Sequence, residues 1–150
     1  MREGGALGGA DVANGTLRNC LFVGNQCTTG YGGNLAVRGA GARVYHCTAV
    51  GGFGSLGNGG LYQSAGTVAD CIFYDNVGNT TAEDTDDPGF ANYPEDLHLS
   101  AASPAVDSAT SGMGGDLDLD RQPRIDNPKR SVDIGAAECQ KTDSTMIIMR

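Results

Sequence analysis

Three short runs along the chain share one pattern of hydrophobic and polar positions. They are LRNCLFVGN (residues 17–25), VYHCTAVGG (44–52) and VADCIFYDN (68–76), and they align without a gap. Each run has an aliphatic residue, a cysteine three positions later, and then a short run of alternating side chains. Successive side chains of a β-strand point to opposite faces, so this alternation is typical of short strands. The pattern predicts strands, not helices, in all three segments.

The spacing of these runs indicates a repeat. The aligned cysteines are 27 and 24 residues apart, and a second frame, GGAL at Gly4, GGNL at Gly32 and GGLY at Gly59, repeats at offsets of 28 and 27. A period of this size with short β-rich runs and glycine turns is typical of one coil of a solenoid. We therefore expect an all-β chain: a right-handed parallel β-helix of about three coils over residues 1–76. A C-terminal β cap module over 77–140 and a tail over 141–150 would follow.

Equivalent side chains of stacked coils should form columns. Cys20, Cys47 and Cys71 are expected to point inward as small buried hydrophobic side chains. Asn25 and Asn76 are expected to form a ladder at a coil corner, interrupted where the middle coil has Gly52.

Two cysteines lie outside the repeat. A disulfide between Cys27 and Cys139 is an alternative for them, whereas the absence of any CxxC motif argues against zinc.

Composition adds a boundary and excludes several functions. Seventeen of the 24 glycines lie in the first 60 residues, and sixteen of the 18 acidic residues lie from Asp70 onward. The formal charge of −8 disfavours nucleic acid and anionic membranes as partners. No apolar window is long enough for a transmembrane segment, and the N-terminus shows no signal-peptide pattern.

These motifs resemble a known class of protein. LRNCLFVGN is similar to the coil motif of right-handed parallel β-helix proteins of the pectate-lyase-like (pectin lyase-like) kind. Four later motifs resemble the C-terminal module of bacterial surface proteins termed choice-of-anchor Q domain proteins: DPGF at Asp87, DLHLSAASPAVDSA from Asp96, DLDRQPR from Asp118 and VDIGAAE from Val132. Arg121 and Ala137 depart from the family, which usually has glycine and often an aromatic residue there.

The resemblance implies an extracellular or surface-attached solenoid, and it does not imply a catalytic set. It also suggests that the chain is the C-terminal part of a longer protein, because GGAL at Gly4 begins inside a coil. An uncapped first coil around Gly4 to Ala10 would favour end-to-end self-association, because unpaired strand edges are templates for pairing.

The carboxylates near the C-terminus support two interpretations. Asp116, Asp118 and Asp120 have the one-three-five spacing of calcium loops, but Arg121 and Asn127 stand where an EF-hand needs glycine and glutamate. Calcium is thus a possible cofactor at a looser site, and no other cofactor is indicated. The alternative places Leu117 and Leu119 inward on a strand, with the aspartates in solvent or capping turns. The resembled module has recurrent charged positions that match four residues, among which Arg124 should pair with a carboxylate: Asp118, Arg124, Asp133 and Glu138.

An acidic group and two histidines are further candidates for catalysis or metal binding. Glu83, Asp84, Asp86 and Asp87 have the side chains of glycosidase or calcium sites, but they lie in a turn-rich segment without a basic residue. Both histidines, His46 and His98, are expected to face outward by strand alternation.

The sequence favours a non-catalytic role. The leading hypothesis is a glycan-binding or structural scaffold, in which exposed tyrosines stack on sugar rings: Tyr31, Tyr45, Tyr62 and Tyr74. One alternative is a fragment of a polysaccharide lyase or glycoside hydrolase whose active coils lie upstream. Another is a purely structural stalk and cap.

Overall fold

The computed structural model of this chain describes residues 9–77, 86–124 and 131–140. These residues contain strands and turns and no α-helix, and so no helix able to cross a membrane. The strands are β1 (Ala10–Arg18), β2 (Leu21–Val23), β3 (Gln26–Cys27), β4 (Leu35–Tyr45), β5 (Thr48–Val50), β6 (Phe53–Gly54), β7 (Leu61–Gln63), β8 (Thr67–Ala69), β9 (Ile72–Tyr74), β10 (Phe90–Asn92) and β11 (Asp96–Leu99). The expected all-β class is confirmed.

Nine of these strands form three parallel sheets. Their orders are β1–β4–β7 with β8 also on β4, β2–β5–β9, and β3–β6. In the second sheet Leu21 pairs with Thr48, which pairs with Ile72, so the strand register reproduces the offsets of 27 and 24 residues. Each run predicted as a strand contains the end of one strand, a corner before the cysteine, and a second strand after it. The remaining two, β10 and β11, pair in an antiparallel manner.

The sheet β2–β5–β9 packs apolar side chains on both faces. Its alternate residues Ala49 and Phe73 join the main core, together with buried side chains of β4 and β7 such as Leu35 and Leu61. On the opposite face, Ile72 belongs to a second cluster formed with the C-terminal segment: Leu99, Ala105, Val106, Ile134 and Cys139. The C-terminal segment therefore folds against the outer face of a parallel sheet.

A repeated backbone feature explains one wrong expectation. Asn19, His46 and Asp70 each precede a repeat cysteine, and their φ angles of 53°, 49° and 53° place all three in the left-handed region. Strand alternation ends at such a residue, because the chain turns a corner there. His46, expected to face outward, is 0% exposed. His98 is exposed, as expected.

Three strands lie at one end of the sheets. Among the described residues β1 pairs only with β4, β2 only with β5, and β3 only with β6. Val12, Leu17 and Phe22 on this end are only partly buried against the core. Self-association through this end stays a prediction, and residues 4–8 of the segment first suggested for it lie outside the described residues.

Candidate functional site: a polar seam and an acidic cleft

The three repeat cysteines stack in one column. Cys20 and Cys71 flank Cys47, which is 1% exposed, and the backbone N–H of Cys47 donates to Cys71 Sγ at 3.4 Å. Each thiol lies within 3.2–3.3 Å of the carbonyl oxygen two residues earlier. The hydrogen bond with Cys71 and burial raise the pKa of Cys47, so this thiol stays protonated and acts as a packing residue. Cys27 and Cys139 are free thiols.

The asparagine ladder is continuous, contrary to the expected interruption. Asn34 fills the gap in the middle coil: its Oδ1 accepts from Asn25 Nδ2 at 2.9 Å, and its Nδ2 donates to Asn76 Oδ1 at 2.9 Å. Gly52 has no side chain because a Cβ there would lie 2.5 Å from Asn34 Nδ2 and 2.2 Å from the carbonyl oxygen of Gly59. The sequence predicted Asn25 and Asn76 but missed Asn34, which belongs to the other repeat frame, GGNL.

The corner residues Asn19, His46 and Asp70 form a second polar column, which we call the seam. Each contacts the C-terminal segment: Asn19 Nδ2 donates to the carbonyls of Gly114 and Leu117 at 2.8 and 2.6 Å. Asp70 accepts from the backbone N–H groups of residues 110 and 111 at 3.0 and 2.8 Å. The left-handed corner turns these three side chains away from the core and toward the closing segment.

Arg124 inserts into the seam and is 0% exposed. Its Nη2 donates to Asn19 Oδ1 at 2.7 Å and to the carbonyls of Gly135 and Ala136 at 2.8 Å each. Its Nη1 lies 3.4 Å from Glu138 Oε2. The pairing of Arg124 with one of three carboxylates, expected from the sequence, is confirmed for Glu138.

The carboxylates near Arg124 hold backbone N–H groups. Asp118 Oδ1 accepts from residues 120 and 122 at 2.9 and 2.8 Å, and its Oδ2 accepts from the N–H of Glu138 at 2.9 Å. Asp133 accepts from the N–H of Asp107 and of Cys139 at 2.7 Å each. A buried carboxylate is tolerated when it is bonded in this way. Asp118 and Asp133 therefore fix the backbone of the C-terminal segment through these hydrogen bonds.

The same contacts correct the expected orientation of the GDLDLD segment. Asp118 is buried, whereas Leu117 and Leu119 are 48% and 40% exposed, the reverse of the expectation that the leucines point inward. The hydrogen bonds that Asp118 accepts in this turn contribute more free energy than burial of the two leucines would. Asp116 and Asp120 are exposed, and within the described ranges no three His, Cys, Asp or Glu side chains are grouped to hold a metal ion.

His46 lies in a mixed electrostatic environment. Its Nδ1 is 3.1 Å from the carbonyl oxygen of Asp133, and its Nε2 is 3.4 Å from Ser111 Oγ and 3.6 Å from Asp70 Oδ2. Burial and the nearby Arg124 lower the pKa of His46 below its usual 6.5. Burial alone would raise the pKa of Asp70, but hydrogen bonds from Ser111 and Thr110 outweigh it and lower that pKa. At neutral pH, His46 is therefore neutral and Asp70 is ionised.

This arrangement predicts loss of stability in mild acid. The folded-state pKa of His46 is lower than the unfolded one, so the unfolded state binds more protons as the pH falls from about 6.5. The free energy of unfolding should decrease between pH 7 and pH 5, as urea titrations at several pH values can measure. His46→Asn, which tolerates the positive φ, should flatten this decrease. His98→Asn should not flatten it, because the raised pKa of His98 stabilises the folded state in acid and its loss can only steepen the decrease. Equal slopes for wild type and His46→Asn would contradict the assignment.

A cleft of about 260 Å³ lies on the outer side of β2, beside the segment Pro94–His98. Its apolar wall includes Leu21 and Val23, which are 38% and 55% exposed, and Leu119. Glu95 and Asp96 line the other side. We refer to this feature as the acidic cleft.

His98 bridges two carboxylates at this cleft. Its Nδ1 is 2.5 Å from Asp96 Oδ1 and its Nε2 is 2.6 Å from Asp120 Oδ2. The hydrogen bonds with Asp96 and then Asp120 raise the pKa of His98. Residues 96 and 98 alternate along β11 and so share a face, a signal present in the sequence, whereas Asp120 comes from a distant turn.

The four tyrosines proposed as glycan contacts do not form one surface. Tyr45 is buried, so its expected exposure was wrong. Tyr31 and Tyr62 are half-buried and stack with ring centroids 5.1 Å apart. Tyr74 lies in a separate aromatic cluster with Phe90 and Tyr93, where burial and a hydrogen bond to Asp75 raise the pKa of Tyr93 to about 12.

The second acidic group is only partly described. Glu83 and Asp84 lie outside the described residues, and Asp86 is exposed. Asp87 Oδ1 accepts from the N–H of Gly89 at 2.9 Å, and Gly89 has a φ of 68°. The turn expected at Asp87-Pro88-Gly89 is present.

Comparisons with known proteins found no match. No protein-family model, curated protein or solved structure matches this chain.

Proposed function

We propose that this chain is the C-terminal, closed end of a right-handed parallel β-helix, which acts as an extracellular or cell-surface scaffold that binds a glycan. The observation that carries the proposal is the order in which the chain visits the three parallel sheets. It runs through β1, β2 and β3, and then through β4, β5 and β6, which pair with the first three in the same order. In the third round β7 and β8 both pair with β4, β9 pairs with β5, and Phe53 of β6 pairs with Val77. A solenoid produces this order, and parallel crossover connections are almost always right-handed.

The seam supports a closing role for the C-terminal segment. Residues 103–124 and 131–140 supply the buried Arg124, Asp118, Asp133 and Glu138, and they cover the outer face of β2–β5–β9 at Ile72. This cover lies along the side of the stacked repeats and joins the first repeat at Asn19 to the third at Asp70. The similarity of this segment to the module of surface β-helix proteins supports an exported location.

The stacked pair Tyr31 and Tyr62 is the best candidate for glycan contact. Both rings are partly exposed, and Tyr62 stands on β7 beside the inward-facing Leu61. Flat rings held rigidly by a neighbour offer a stacking surface at low cost in conformational entropy. The formal charge of −8 favours a neutral glycan over an acidic one.

Binding to a panel of immobilised neutral and acidic polysaccharides tests this function. We expect a neutral glycan to bind, and Tyr31→Ala and Tyr62→Ala each to weaken it about fivefold, roughly the loss of 1 kcal/mol of stacking. Tyr93→Ala, which removes an aromatic ring from the other cluster, is the matched control and should bind like wild type. Failure of the wild-type chain to bind any member of the panel would leave only the structural part of the proposal.

A further inference from the structure

The acidic cleft combines two features that a single kind of side chain satisfies. Leu21, Val23 and Leu119 form an aliphatic surface that remains 38–55% exposed. Glu95, Asp96 and His98 line the other side, and Asp120 bonds to His98 Nε2 from outside this lining. An occupant must therefore be apolar along its length and positively charged at one end.

We propose that this cleft binds a lysine side chain presented by a partner protein. The four-carbon stem of lysine lies on aliphatic surface while its ammonium group stays polar, and that ammonium donates three hydrogen bonds as a compact point charge. The chain's formal charge of −8 attracts such a partner.

The geometry favours lysine over a sugar or an arginine. A sugar ring carries hydroxyl groups around its whole edge, whereas the three aliphatic side chains here leave one wall without hydrogen-bonding groups. A guanidinium prefers two parallel bonds to one carboxylate. In this cleft Asp96 already places one oxygen on His98, which leaves its other oxygen and the neighbouring carboxylate of Glu95 for a point charge.

Binding should become tighter as the pH rises, because His98 then loses its positive charge. Protonated His98 offsets one of the negative charges of Asp96, Asp120 and the neighbouring Glu95. Asp96 and Asp120 hold the pKa of His98 above its usual value, and deprotonation at higher pH makes the cleft more negative. Lysine stays charged to a pKa of about 10.4, so its affinity should rise from pH 6 to pH 9.

The test is an NMR titration of the full chain with N-acetyl-lysine-methylamide. We expect backbone shifts at residues 21–23, 95–98 and 119, and no such shifts with N-acetyl-norleucine-methylamide, which has the same stem without the ammonium. Asp120→Asn should weaken binding about fivefold, the range of one exposed ion pair. Asp11→Asn removes the same charge on β1, where Asp11 pairs with Arg38, and is the matched control.

Three outcomes would overturn the proposal. The first is equal binding of the lysine and norleucine compounds, which would make the cleft a general apolar site. The second is tighter binding of glucosamine than of the lysine compound at the same amides. The third is the absence of shifts at these residues up to about 50 mM ligand, a concentration above the millimolar range expected for one such contact. Thermal melting of each variant checks that the chain remains folded.

Discussion

Arg124→Ala should lower the free energy of unfolding by about 3–5 kcal/mol, the largest effect that we expect from a single substitution. The guanidinium is fully buried, and it donates to Asn19 of the first repeat and to the carbonyls of Gly135 and Ala136. Its removal takes a donor from each of these acceptors, of which Ala136 keeps the N–H of Leu119, and it takes the neighbouring cation from the buried carboxylate of Glu138. Urea unfolding monitored by circular dichroism measures the change.

Two further variants separate charge from packing in this prediction. Arg124→Met keeps most of the side-chain volume and should be nearly as destabilising as Arg124→Ala, because it also lacks the donors. Arg38→Ala removes an exposed arginine that pairs with Asp11, and it should cost less than about 1 kcal/mol. If Arg124→Ala and Arg38→Ala unfold at the same urea concentration, Arg124 does not hold the C-terminal segment to the sheets.

The repeat was predictable because its signal is local and recurs. Each strand of the sheet β2–β5–β9 carries the same alternation after a cysteine, and the sequence offset between cysteines became the strand register. The pairing of Arg124 was also predictable, since a buried guanidinium needs a carboxylate and this segment supplies several.

The wrong predictions concern side chains whose environment depends on the C-terminal segment and not on the local repeat. His46 follows a tyrosine on a strand, so alternation predicts an outward, exposed side chain, but residues of the C-terminal segment cover it. Asp118 lies between two leucines, and a hydrophobicity pattern cannot anticipate that its turn hydrogen bonds outweigh their burial. The bridge from His98 to Asp120 joins two segments whose proximity depends on the tertiary fold.

The asparagine ladder shows how one repeat frame completes another. Asn25 and Asn76 occupy equivalent positions, and the residue between them is Gly52. The ladder is completed from the side by Asn34, which enters the space that a side chain at position 52 would have used. The side chain of Asn34 therefore requires glycine at position 52, although the two residues lie 18 positions apart in the sequence.

Asn34→Ala should consequently cost about 3 kcal/mol, more than its small volume suggests. Asn34 is 0% exposed, and it joins Asn25, the carbonyl of Val50 and Asn76 through hydrogen bonds of 2.9–3.1 Å. Truncation removes four hydrogen bonds, two from Asn25 and one each to the carbonyl of Val50 and Oδ1 of Asn76, and each such bond contributes roughly 0.5–1.5 kcal/mol. Val50 and Asn76 keep the backbone N–H groups of Gly24 and Gly52 as donors.

Two comparisons give this last prediction a clear outcome. Asn25→Ala, at the half-buried end of the ladder, loses one side-chain bond to Asn34 and should cost under about 1.5 kcal/mol. Asn34→Asp keeps the volume but replaces the donor Nδ2 with an oxygen facing the carbonyl of Val50 and Oδ1 of Asn76, so it should destabilise at least as much as Asn34→Ala. If Asn34→Asp unfolds like wild type in urea at pH 7, or Asn34→Ala unfolds like Asn25→Ala, the ladder does not hold the coils together as a unit.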